Sequence, residues 1–211
     1  METIENTRRK RSLIPLVFLV LLFALPPLLG WVFYLNPHWL PGGRVNRGTL
    51  IEPVRSVDSL ILNMSGDPQM LDWQSLRDQW ILTVVNRGNC EAPCVSRLIE
   101  IRQLRRALAA DRKRVSRLLI LLPDESGRVI ADPPLPGLEG THVTYIDPEN
   151  LNEVVSVFDL ERVRPEDYIF LIDPRGSLMM RHQIESVKPQ EILKDLQMLL
   201  KASANWVTGE Q

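Results

Sequence analysis

Residues 80–94 read Trp80-Ile81-Leu82-Thr83-Val84-Val85-Asn86-Arg87-Gly88-Asn89-Cys90-Glu91-Ala92-Pro93-Cys94, and they hold both cysteines of the 211-residue chain. The apolar, β-branched first half predicts a buried strand, the Asn and Gly predict a loop, and the residues after Pro93 predict a helix. A proline in a first helical turn loses no hydrogen bond that the helix would have made. Two thiols at such a junction lie beside unpaired helix N–H groups, whose partial positive charge stabilises a thiolate. The spacing is C-x3-C. On a helical turn i and i+4 share a face, so the sulfurs can bond to each other or grip one soft metal ion. A structural staple is the alternative, but closing so short a ring stabilises by only on the order of 2 kcal/mol.

Working outward, Val95, Leu98, Ile99, Ile101, Leu104 and Leu108 fall near helical spacing up to Ala110. Arg97, Arg102, Arg105 and Arg106 take much of the remaining surface, read either as a solvated face or as a dock for an acidic partner or lipid headgroups. Leu118 to Leu122 is a continuous apolar run, the signature of a strand covered on both faces. Residues 124–140 are rich in Pro and Gly and predict loop, Thr141 to Ile146 a strand, and Pro148 to Leu160 a helix. Tyr168 to Ile172 and Ser177 to Gln183 predict a hairpin around Asp173-Pro174-Arg175-Gly176, whose Pro and Gly suit the turn. Lys188-Pro189 opens a last helix, Gln190 to Ser203. The order β-α-β, α, β-β-α is that of a thioredoxin-like α/β fold, a central mixed sheet flanked by helices.

The strand-loop-C-x3-C-helix segment and the later Tyr168-Ile169-Phe170-Leu171-Ile172-Asp173-Pro174-Arg175-Gly176 together resemble the Sco (SenC/PrrC) family of thioredoxin-fold cytochrome c oxidase assembly proteins. The similarity covers approximately residues 50–200. In that family a His five residues before the hairpin's aromatic joins the two cysteines as a copper ligand. Here Pro165 stands at that place, between Arg164 and Glu166. The first cysteine is not followed by the family's usual Pro, and the Asp-Pro-x-x-Asp-Thr segment is missing. The resemblance therefore implies the fold and the dithiol, while copper does not simply carry over.

Ahead of the domain, Arg8-Arg9-Lys10-Arg11 precede a run from Ser12 to Gly43 with no Asp, Glu, Lys or Arg. At about 1.5 Å per residue, Leu13 to Tyr34 matches the roughly 30 Å hydrocarbon core. Pro26-Pro27 are tolerated in a membrane helix, and Trp31, Tyr34 and Trp39 form an aromatic belt. A cleaved signal peptide is the rival reading, but the run is too long and no small-x-small site follows it. The charges place the N-terminus in the cytoplasm. The expected organisation is residues 1–11 cytoplasmic, 12–36 transmembrane helix, 37–49 linker, 50–205 periplasmic thioredoxin-like domain of a bacterial inner-membrane protein, and 206–211 tail. A net charge of −1 gives no nucleic-acid reading. The periplasm is oxidising, so the pair is a disulfide there unless a dedicated donor reduces it.

In the exchange reading Cys90 is the exposed attacking thiol and Cys94 the resolving one, because the first cysteine of such motifs has the lower pKa. In a hairpin centred on Arg175, His182 falls opposite Tyr168 and is the candidate third metal ligand with Cys90 and Cys94; otherwise it is a solvated strand-end residue. His142, at a strand start, is a weaker candidate, and His38 reads as an interfacial anchor. Pro165 is either a cis-proline facing the dithiol or an ordinary trans proline ending a loop. Ser56 to Met64 is read as a hairpin partner of the first strand with Asp67-Pro68 as a turn, and Trp73 and Leu76 as core. The resemblance implies assistance to cytochrome c oxidase copper-centre assembly, with an oxidase subunit or another assembly factor as partner and thiol-disulfide exchange as the chemistry. A non-catalytic scaffold with a structural disulfide and a Cu(I) chaperone with an altered third ligand are the alternatives. No cofactor is required, and copper is the one metal implied.

Overall fold

An unbroken apolar sequence gives the first element, helix α1 (Ile14–Leu35), with Pro15 in its first turn. It runs through Pro26 and Pro27, which lack N–H groups and so leave the Leu22 and Phe23 carbonyls without their usual helical donors. It is the one helix, among the described residues, long and apolar enough to cross a membrane. The structure is a computed structural model and describes residues 13–36, 47–64, 70–128, 136–159 and 163–204. The chain divides into two units, residues 1–44 and 45–211. Arg8 to Arg11, His38, Trp39, the Asp67-Pro68 turn and the 206–211 tail lie outside the described residues.

In the second unit the strands are β1 (Thr49–Ser56), β2 (Asn63–Met64), β3 (Trp80–Arg87), β4 (Val115–Leu122), β5 (His142–Tyr145), β6 (Tyr168–Ile172) and β7 (Ser177–Gln183). They form one sheet in the order β1-β7-β6-β3-β4-β5-β2. β3, β4 and β5 run parallel, whereas β6, β7 and β1 are antiparallel to their neighbours. β3 and β4 are joined through α2 (Ala92–Ala107), and α3 (Leu151–Phe158) precedes the β6–β7 hairpin. Helix α4 (Pro189–Ala202) is the last helix among the described residues, with Glu191 Oε2 accepting from the Lys188 N–H at 3.2 Å. The core β-α-β, β-β-α order with β3 central is a thioredoxin-like arrangement.

β3 and β4 are buried on both faces, which is why they read as continuous apolar runs. One face of the sheet packs Ile81, Leu118, Ile120, Phe170 and Ile172 against Trp73, Leu76, Val154 and Phe158. Trp73 and Leu76 are core as expected; the Trp73 indole donates to the Leu60 carbonyl at 2.9 Å. Phe158 meets Phe170 edge-on, with centroids 5.1 Å apart. The other face packs Leu82, Val84, Leu119 and Leu171 against Leu98, Ile101 and Leu104 of α2 and Ile192, Leu196 and Leu200 of α4.

Two local expectations are corrected. Ser56 to Met64 does not form a hairpin partner of β1, because Ser56 is the end of β1 itself and beyond it only Asn63 and Met64 are strand, pairing with Tyr145 and Thr144 of β5. Val57, Leu60 and Leu62 between them are buried as packing residues instead. In the β6–β7 hairpin Ile172 faces Leu178 but Leu171 faces Met180, so Met179 is an extra residue in β7. That bulge moves His182 from opposite Tyr168 to opposite Ile169, and a slip of one residue exchanges the faces of a strand.

Gly48, just before β1, is buried, and a Cβ built on it would lie 2.6 Å from Met180 Cγ and 2.7 Å from His182 Nε2. Gly48→Ala is therefore expected to destabilise the domain by about 1–3 kcal/mol, seen as an earlier urea midpoint of the full chain in detergent with an unchanged slope.

Candidate functional site

The loop between β3 and α2 is built by its own sequence. Asn86, at the buried end of β3, sends Nδ2 to the carbonyls of Arg87 (3.2 Å) and Asn89 (2.9 Å). Gly88 adopts φ +68°, where a Cβ would be strained, and its N–H bonds the Leu122 carbonyl at 2.9 Å. Beside it Asp124 accepts from the Ser126 hydroxyl and from the backbone N–H groups of Arg128 and Ser126, which hold its carboxyl down at about 2. The chain is thereby turned so that the next residues enter α2.

Cys90 and Cys94 form a disulfide with Cα atoms 5.1 Å apart. Cys90 precedes the N-cap Glu91, outside the helix, and Cys94 lies in the first turn behind Pro93. Glu91 makes no side-chain capping bond, and the first turn contains no acidic residue, so no side chain caps the N–H groups that open α2 beside the sulfurs. Cys94 is buried (4 % exposed), whereas Cys90 is only partly so.

A cleft of about 260 Å³ opens beside Cys94, lined by Asn86, Asn89, Glu91, Pro93, Arg97 and Glu166, with Val84 and Cys94 also on its wall. Glu166 reaches it from a short 3-10 turn, Pro165–Asp167, and its Oε1 accepts from the Arg87 N–H at 3.2 Å. Asn86, Arg97 and Glu166 are site residues that the reading of the sequence passed over. Only their adjacency to the cysteine segment, or to Pro165, pointed that way.

Pro165 is buried, and its peptide bond is trans; Glu52–Pro53 is the cis bond among the described residues. His182 is 1 % exposed and lies on the face covered by α4, where Nε2 sits 3.2 Å from Asp195 Oδ2. The same carboxylate oxygen accepts from the backbone N–H groups of Arg47 (2.8 Å) and Gly48 (3.0 Å). Burial pushes the His182 pKa down, and the bond and charge of Asp195 offset part of that. His142 is half-buried at the start of β5; burial, and secondarily the Arg117 guanidinium, lower its pKa. Among the described residues no three His, Cys, Asp or Glu side chains are grouped to hold a metal ion. The structure brings the two cysteines together and places His182 in a separate buried network with Asp195.

Residues 80–203 match a protein family described as transmembrane-like, thioredoxin-like, C-terminal domain. The chain belongs to this family. Its thioredoxin-like domain is similar in fold to apo Sco1 from Thermus thermophilus, with 17% identity, 72% of this chain and 96% of that chain covered, and a TM-score of 0.51. It is likewise similar to yeast Sco1 with copper bound, at 10% identity, 68% and 90% coverage, and a TM-score of 0.53. The Sco-like resemblance first carried by the cysteine segment and the hairpin thus extends to the fold. No curated protein matches the chain in sequence.

Proposed function

We propose that this is a membrane-anchored thiol-disulfide exchange protein that assists cytochrome c oxidase assembly. The observation that carries the chemistry is the Cys90–Cys94 disulfide at the uncapped start of α2, its more exposed sulfur preceding the helix and a cleft alongside. In the reduced protein the Cys90 thiolate attacks a partner disulfide, forming a mixed disulfide and releasing one partner thiolate. The Cys94 thiolate then displaces the second partner sulfur and closes the Cys90–Cys94 bond. Two electrons pass to the partner, which leaves as a dithiol, and an external dithiol donor must restore the reduced pair. The α2 N-terminus favours the thiolate that starts the sequence.

The anchor is α1, and the basic residues before it orient the domain to the periplasmic side of a bacterial inner membrane. The partner is an oxidase subunit or another assembly factor, a reading supported by the fold shared with Sco1. Copper, as cargo, is not built into this reading. The sulfurs are joined to each other, Pro165 stands where the resemblance expects a histidine, and His182 is engaged by Asp195, so the described donors do not make up a copper set.

The reduction potential of the pair is the test. Exchange requires a value more oxidising than about −300 mV, whereas a lower one would mark a structural bridge in a scaffold. Stoichiometric Cu(I) binding that disappears in both Cys90→Ser and Cys94→Ser would instead make the protein a copper carrier.

A further inference from the structure

Arg117 is a charged residue inside the covered strand β4, third from its start. It is 3 % exposed, on the β4 face shared with Val115, Leu119 and Leu121, beneath α2. Its Nη2 donates to the Glu139 carbonyl at 2.6 Å, while Nε and Nη1 are buried without any acceptor. Arg102, half-buried on α2, donates Nη1 to the Gly137 carbonyl and leaves its own Nε buried and unpartnered. Arg105 donates Nε to the Val115 carbonyl at 2.5 Å, and Arg106 is exposed on the same helix. None of these four guanidiniums has a carboxylate within salt-bridge distance among the described residues.

Burial, and then the charges of Arg105, Arg102 and Arg106, lower the Arg117 pKa, and the Glu139 carboxylate is the one charge that opposes them. A buried cation lacking both a counter-charge and full hydrogen bonding costs several kcal/mol. A carbonyl can take up one N–H but cannot neutralise the charge. The loop roofing the cluster carries Gly137 and Gly140 at φ +76° and +74°. That left-handed backbone is what calls for glycine, and it sets the loop beside both guanidiniums: the Cβ position of Gly140 lies 3.4 Å from Arg117 Nη2 and that of Gly137 3.7 Å from Arg102 Nη1, ordinary contact distances.

We infer that Arg102, Arg105, Arg106 and Arg117 form a binding site for a phosphate group, which enters beside exposed Arg106 and takes up the free N–H groups of Arg102 and Arg117. A tetrahedral oxyanion offers several acceptors to two planar forks at once and supplies the missing negative charge. The group comes either from a free phosphate compound or from a phospholipid headgroup.

The test uses the full chain. In a non-ionic detergent, inorganic phosphate is titrated at constant ionic strength against chloride, read by calorimetry and by thermal unfolding. In parallel, the chain is placed in nanodiscs of phosphatidylcholine, with and without phosphatidylglycerol. Saturable phosphate binding with a raised unfolding temperature supports the site and a free ligand. Stabilisation confined to phosphatidylglycerol discs supports the site and a headgroup ligand. Arg102→Gln is expected to weaken either response about tenfold, the worth of one charge-assisted bond. Arg117→Gln is expected to abolish the response without lowering the unfolding temperature of the ligand-free protein, because it removes an unpaired buried charge. Should Arg117→Gln fail to fold, Arg102→Gln and Arg106→Gln decide the matter. No response in either medium, a response matched by chloride, or one undiminished in Arg102→Gln overturns the proposal.

Discussion

In the Cys94→Ser chain, Cys90 is expected to remain covalently joined to its partner, and turnover is expected to fall about a thousandfold or more. Exchange starts at the partly exposed Cys90, but the mixed disulfide is cleared only by a thiol already held beside it, with Cα atoms 5.1 Å apart. An external thiol has to replace a group whose proximity is worth a very high effective concentration. Cys90→Ser leaves only Cys94, which is 4 % exposed in the first turn of α2, so no adduct should accumulate. Acid quenching of cells, alkylation and non-reducing electrophoresis distinguish the two variants. Equal yields of adduct from both, or none from either, would defeat the assignment of roles.

Asp195→Ala is expected to cost about 3–5 kcal/mol, because it removes the shared acceptor of Arg47 N–H, Gly48 N–H and His182 and leaves three donors around a buried hole. The measurement is the urea midpoint of the full chain, and a loss below about 1 kcal/mol would show that solvent replaces the carboxylate. The same network has a pH signature. With Nε2 directed at Asp195, a second proton on His182 would sit at Nδ1, which is buried and has no partner. Its folded pKa therefore lies below the ordinary value of 6.5. A base depressed in the folded state binds more protons when unfolded, so its contribution is complete above 6.5 and is lost as pH falls below it, by at most about 1.4 kcal/mol per pH unit. His142, also lowered, acts in the same direction. His182→Gln should remove part of this slope between pH 7.5 and 5, and an unchanged slope would assign the effect elsewhere.

What could be read in the chain beforehand was whatever local pattern controls. The run that became β3 announces a buried strand, that of β4 a strand covered on both faces and that of β6 one arm of a hairpin, and Pro93 and Pro189 mark helix starts that the structure places in the first turns of α2 and α4. Interactions between distant elements left no such trace. The extra residue Met179 shifts the hairpin register with no Gly or Pro to signal it, and His182 moves with it. Asp195 stands among ordinary polar residues of an amphipathic helix, and only the arrival of Arg47 and Gly48 makes it a buried acceptor. Arg117 borders an apolar run and looks like its polar flank, but β4 begins at Val115 and carries it inside. Glu166 enters the cleft through a turn whose approach to β3 is purely tertiary.

The margins of the sheet carry a last consequence. Pairing of β1 with β7 lapses between Leu50 and Arg55, where Pro53 offers no N–H, and at the opposite margin β2 is only two residues long. Among the described residues, neither border presents a straight row of free amide groups for another polypeptide to extend. Two copies of the domain can therefore meet margin to margin without zipping into shared β-structure.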